Sequence, residues 1–169
     1  GGLFLDSIVH KALVTPSDVC ELPDGSLVAC PYMHRAGPHV IAGSDRVLVL
    51  PPAAAVQHGG EHGAAAGGAA GKGVRTVKVG KDAMPVAVKS DRDGGLVVAD
   101  RAARTVKVYD VSGKKNPKRV GGFKYKSEDM CVVEDAKGES LWPWLGLAVC
   151  QLSGDIVVSD SDHDSIIIF

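Results

Sequence analysis

Three stretches of this 169-residue chain repeat one template, and a tandem repeat restricts a fold more than composition does. Residues 15–30, 84–100 and 144–160 each read as a short strand, a tight turn with glycine, and a second apolar strand. The turns are Asp24-Gly25, Asp93-Gly94 and Ser153-Gly154, which read as two-residue hairpin signals with glycine supplying the positive φ. The strands that follow, such as Leu96-Val97-Val98-Ala99 and Ile156-Val157-Val158, are apolar at every position, which predicts burial on both faces. Asp100 and Asp160 both fall six residues after the turn glycine, where a carboxylate can accept backbone N–H groups of the next turn. Pro31 holds that position in the first copy. A third strand is predicted at 46–50, 105–109 and 165–169, and a fourth after the first two copies, at 74–79 and 120–125. No helical period interrupts the pattern. The predicted fold is all-β, with blades of four antiparallel strands in the manner of a β-propeller.

The spacing of the template divides the chain. Residues 14–80 form a first blade, 81–126 a second, and 127–169 a third that lacks its last strand. The turn glycines lie 69 and 60 residues apart, beyond the about 40–50 of common blade repeats. The excess is a Gly/Ala-rich loop at 51–73, with 7 glycines among residues 59–73, and an acidic connection at 127–142. Residues 3–9 (Leu-Phe-Leu-Asp-Ser-Ile-Val) precede the first blade and are a candidate closing strand within 1–13. Three blades leave sheet edges open. The chain is therefore either a segment of a larger propeller or one half of a ring that a homodimer completes.

The second and third copies resemble NHL repeats. The pattern of that family is a proline, a glycine leading a short apolar run, a turn glycine, an apolar strand ending in aspartate, a polar gap and a strand ending in an aromatic. Pro143 through Leu145-Gly146-Leu147-Ala148-Val149, Gly154, Asp160, His163 and Phe169 follow it, as do Pro85, Gly94, Asp100 and Tyr109. Val86 stands for the glycine in the second copy, and the first is degenerate, with Pro31 for aspartate and a long insertion at 32–44. Within that family the chain looks most similar to the C-terminal NHL domains of tripartite-motif (TRIM) ubiquitin ligases. The resemblance implies a six-bladed parent propeller and a non-catalytic module that selects a protein substrate or RNA. RNA binding in post-transcriptional regulation is the alternative.

Chemistry points the same way. The four cysteines, Cys20, Cys30, Cys131 and Cys150, contain no C-x-x-C pair and are too sparse for a disulfide framework, so free and mostly buried thiols in the cytoplasm are expected. Cys20 and Cys150 fall within first strands and read as core. Calcium-dependent propeller hydrolases and lactonases gather neutral carbonyl ligands beside carboxylates, yet Asn116 is the single asparagine of the chain, which disfavours that enzyme class. His58-Gly59-Gly60-Glu61-His62 sits in the Gly/Ala loop without a rigid element, and 159–164 reads as a polar turn. No metal, cofactor or catalytic residue is expected. No run approaches the about 20 apolar residues of a membrane span, and the N-terminus has no basic region of the signal-peptide kind.

What remains is surface. The net charge is −1, but residues 72–126 hold 15 Lys and Arg against 5 Asp, leaving 4 basic and 15 acidic residues elsewhere. A basic centre of this kind suits an acidic or polyanionic partner. In a propeller, loops joining second to third strands share one end with loops joining blade to blade. That scheme gathers Tyr32, His34, Arg35, Lys81, Arg101, Arg104, Trp142, Trp144 and His163 on one rim as candidate partner-binding or RNA-binding residues. Arginine with aromatic rings is what single-stranded RNA recognition uses, and equally what protein hot spots use.

Overall fold

The computed structural model describes residues 16–31, 35–36, 39–40, 45–52, 73–81, 83–113, 117–124, 133–134, 140–141, 145–160 and 165–169. Every regular element among them is a strand. The first sheet pairs β1 (Pro16–Glu21), β2 (Leu27–Pro31), β5 (Arg46–Leu50) and β6 (Arg75–Lys78) in that order. The second pairs β7 (Pro85–Ser90), β8 (Leu96–Asp100), β9 (Thr105–Asp110) and β10 (Lys118–Lys124). The third pairs β13 (Leu145–Val149), β14 (Ile156–Asp160) and β15 (Ser165–Ile168). All pairings are antiparallel between neighbours. Two short ladders interrupt the repeats. β3 (Arg35–Ala36) pairs β4 (His39–Val40) inside the first insertion, and β11 (Val133–Glu134) pairs β12 (Ser140–Leu141) before the third sheet.

These sheets are propeller-type blades, stacked in a row and not closed into a ring. The first strand of the middle blade, β7, packs against β1 on one side and β13 on the other. The middle blade's second strand, β8, is thereby buried on both faces, as its unbroken apolar run requires. Leu96 and Val98 of β8 enter one cluster with Val28, Cys30, Val47, Val49, Val77 and Val88. Val97 and Ala99, pointing the opposite way, enter a second cluster with Ala87, Val106, Leu147 and Val158. Each fully buried Val or Leu contributes roughly 1.5–3 kcal/mol, so β8 holds both neighbours to the middle blade.

The turn glycines have φ of 78° (Gly25), 83° (Gly94) and 85° (Gly154), but the turns are longer than the two-residue hairpins expected from sequence. Leu22 and Ser26 close the first turn, with the Leu22 N–H donating to Ser26 at 2.8 Å and the Gly25 N–H to Leu22 at 2.8 Å. Asp91 and Gly95 close the second in the same way. These are three-residue loops, a turn followed by a left-handed glycine. A two-residue type I′ turn needs positive φ at both central positions, and Asp24 and Asp93 do not have it. Cys150 and Asp155 close the third, leaving four residues in the loop. One consequence is that Cys150 leaves the strand and stands exposed in the turn, contrary to its expected place in the core.

Irregularities repeat with the blades. β1 and β7 each open with a register shift directly after a proline, at Pro16 and Pro85, where the missing N–H removes a ladder bond. β10 carries a bulge between Arg119 and Gly121. Gly122 follows it with φ 142°, and a β-carbon there would run into the Val106 carbonyl of β9, so this position requires glycine.

Candidate functional site

Three of the nine rim residues have described side chains, and the fold brings them to one end of the middle blade. Arg101 and Arg104 lie in the turn from β8 to β9, and Lys81 is exposed in the connection from the first blade to the second. The two segments form one hydrogen-bonded unit. The Arg101 N–H donates to the Met84 carbonyl at 2.9 Å, and the Met84 N–H donates to Asp100 Oδ1 at 3.0 Å. The same oxygen accepts the Ala103 N–H at 3.3 Å, so Asp100 caps the turn as its place at the strand end predicts. Arg104 closes the turn by donating its N–H to the Arg101 carbonyl at 3.1 Å. Its φ of 49° is the one positive value among the described non-glycine residues. Holding a β-carbon in that region costs on the order of 1 kcal/mol and needs firm surroundings.

Those surroundings lie directly beneath. Asp100 is wholly buried and its Oδ2 takes the Lys107 ammonium at 2.6 Å. Lys107 Nζ also donates to the Val79 carbonyl at 2.9 Å, and the Tyr109 hydroxyl donates to the same carbonyl at 3.3 Å. Burial raises the Tyr109 pKa, with Arg119 opposing and Asp100 adding to the shift, so the phenol stays a neutral donor. A buried ion pair thus ties the end of the first blade to the turn of the second. Asp100 is legible from the sequence, whereas Lys107 was missed. The available signal is a lysine between the apolar Val106 and Val108 in a predicted strand.

A second inter-blade clamp was also missed. The Asp18 carboxylate of β1 accepts the Val88 N–H of β7 at 3.0 Å and the Lys89 ammonium at 2.8 Å. Further out, Arg75 donates to the carbonyls of Val111 at 2.9 Å and Gly113 at 2.7 Å. Between the second and third blades Gln151 donates to the Ser90 carbonyl at 3.0 Å.

Tyr32, His34, Trp142, Trp144 and His163 lie outside the described residues, and for Arg35 only the backbone, in β3, is described. The thiols divide. Burial pushes Cys20 up to about 11, with Lys89 opposing and Asp18 adding, and pushes Cys30 up to about 12, partly offset by the Ser17 hydroxyl. Both are therefore poor nucleophiles. Cys150 is lowered by hydrogen bonds from Ser153, side chain before backbone, and from the Leu152 backbone. Among the described residues no three His, Cys, Asp or Glu side chains come together as a metal site, and no helix is long and apolar enough to cross a membrane.

Comparison of the sequence with protein-family models and with curated proteins returned no match. The likeness to NHL repeats accordingly rests on the repeat residues themselves. What the geometry offers is Arg101 and Arg104 on a turn whose backbone is fixed by hydrogen bonds to Met84 and Asp100.

Proposed function

We propose that this chain is a non-catalytic recognition module of the NHL-propeller kind, the substrate-selecting part of a TRIM-type ubiquitin ligase, which takes its partner on the end carrying Lys81, Arg101 and Arg104. The observation that supports this most is the Arg101–Arg104 turn, locked by Asp100, Met84 and Lys107 with Arg104 at φ 49°. A preorganised turn loses little conformational freedom on binding, so its contacts translate more fully into affinity. A cytoplasmic setting is supported by the thiols of Cys20, Cys30 and Cys150, which stand unpaired with one another.

A second reading, RNA binding in post-transcriptional regulation, is favoured by two arginines on one fixed turn within a segment of 15 basic and 5 acidic residues. The test is fluorescence anisotropy with a labelled single-stranded RNA, comparing the native sequence with the pair Arg101→Ala and Arg104→Ala across a salt series. RNA recognition through this turn gives a steep salt dependence, and the pair lowers its logarithmic slope by about 1.4, roughly 0.7 for each phosphate of a single strand no longer neutralised. Equal binding by both proteins, or none by either, removes the RNA reading and returns the end to a protein partner.

A further inference from the structure

The outer half of the second blade turns one column of side chains toward the first. Lys107 Nζ and the Tyr109 hydroxyl both reach the Val79 carbonyl at the end of the first blade, which fixes the direction of this face of β9. Thr105 lies two residues before Lys107 in the same strand and so turns the same way. In β10 the register partners of Thr105, Lys107 and Tyr109 are Lys124, Gly122 and Arg119. Cross-strand partners stand on one face, with β-carbons about 5 Å apart. Arg119 runs up the strand, giving its Nε to the Gly121 carbonyl at 3.1 Å. Its Nη2 lies 3.2 Å from the point that a β-carbon on Gly122 would occupy, so the guanidinium is carried toward Lys124.

One group in this column has no use within the fold. Thr105 is 6% exposed, and its Oγ1 is the one buried side-chain oxygen or nitrogen without a hydrogen-bond partner among the described residues. A hydroxyl left in that state is desolvated without return, and a valine of the same shape would avoid the loss. The cations beside it are unmatched as well. Lys124 and Arg119 are exposed, and among the described residues no carboxylate pairs with either. Asp100 stands across from Thr105 on β8, but its oxygens are taken by Met84, Ala103 and Lys107, and Lys107 cancels its charge. Asp110 stands on the opposite face, in register with Lys118, and accepts from Ser112.

We infer that Thr105, Lys124 and Arg119 form a site for a phosphate monoester or free phosphate, at the outer mouth of the crevice between the first and second blades. Guanidinium, ammonium and hydroxyl are the donors that hold such an oxyanion, the first of them through two parallel N–H groups. Charge selects the class. Two unmatched cations balance the nearly two negative charges that a monoester carries at neutral pH, and three side chains meet its three acceptor oxygens. A phosphodiester of a nucleic-acid backbone brings one charge only and suits the site less. The exposed stem of Lys124, directly across from Thr105, is the part that yields for an oxygen to reach the hydroxyl. The site adjoins the Arg101–Arg104 turn but uses neither of its side chains, so it stands whichever partner that turn takes.

The test is isothermal titration calorimetry of the chain with inorganic phosphate and with a phosphoserine peptide, the unphosphorylated peptide serving as the blank. Both phosphorylated probes are expected to bind and the blank is not. Tighter binding of the peptide assigns the site to a phosphorylated side chain, and tighter binding of the inorganic ion assigns it to free phosphate. Thr105→Val keeps the shape and removes no hydrogen bond of the fold, so its urea midpoint should hold or rise while phosphate affinity falls about tenfold or more. Lys124→Ala, at an exposed position, should lower the affinity by a similar factor of about ten. Arg101→Ala with Arg104→Ala should leave it within about threefold, which separates this site from the recognition turn. No binding of either phosphorylated probe, a phosphate affinity unchanged by Thr105→Val, or as large a loss from the arginine pair as from Lys124→Ala would each overturn it.

Discussion

Asp100→Ala is expected to cost about 3–5 kcal/mol of folding free energy, the range for removing one partner of a buried ion pair. The loss has three parts. Lys107 keeps its charge in a buried position with the Val79 carbonyl still accepting from it, while the N–H groups of Met84 and Ala103 are deprived of their acceptor. Unpaired buried charge and unsatisfied donors are each costly, and here they fall at one point. Replacing both ends, Asp100→Leu with Lys107→Met, removes the stranded charge and is expected to cost much less than the single change. Urea unfolding of the two singles and the double, read as a double-mutant cycle, measures this. A single Asp100→Ala variant within about 1 kcal/mol of the native protein would mean that the pair does not hold the blades together.

The second large effect is expected at Leu96→Ala, at about 2–5 kcal/mol. Leu96 is wholly buried and lies in the cluster shared by the first two blades, beside Val28, Val47 and Val88. Truncation forfeits its transfer free energy and leaves a cavity that two sheets, each fixed by its own ladder, cannot collapse to fill. Val19→Ala is the control. That side chain is mostly exposed, so its truncation is expected to stay within about 0.5 kcal/mol in the single chain. Equal losses at the two positions, read in the same urea titrations, would contradict the stacking of blades described above.

Much of the fold was legible because the repeat states it three times. The apolar run at 96–99 announced a strand buried on both faces, and β8 is that strand. Turn length was less legible. The dipeptide Ser153-Gly154 shows where glycine must sit, while the closing pair is set by backbone bonds between Cys150 and Asp155 that no residue type marks. Misreading that loop put Cys150 in the core, whereas it stands exposed in the turn. The bulge and close approach at Gly121-Gly122 are, by contrast, marked by residue type, because adjacent glycines in a strand have few other uses. At the candidate site, strand counting brought Lys81, Arg101 and Arg104 to one end. It could not reveal Lys107 or Asp18, because the partner of a buried charge is chosen by packing between blades far apart in sequence.

The most direct test of the proposed recognition end, in its RNA reading, is Arg104→Gly, measured for unfolding free energy and for affinity to the labelled single-stranded RNA. Glycine adopts φ 49° without the β-carbon penalty, which offsets what is lost with the side chain's own contacts, so stability should stay within about 1 kcal/mol of the native protein. Binding should fall at the same time, since the turn keeps its shape and gives up one of its cations. A protein that becomes several kcal/mol less stable while binding as before would contradict this role, and would assign Arg104 to the fold rather than to the ligand.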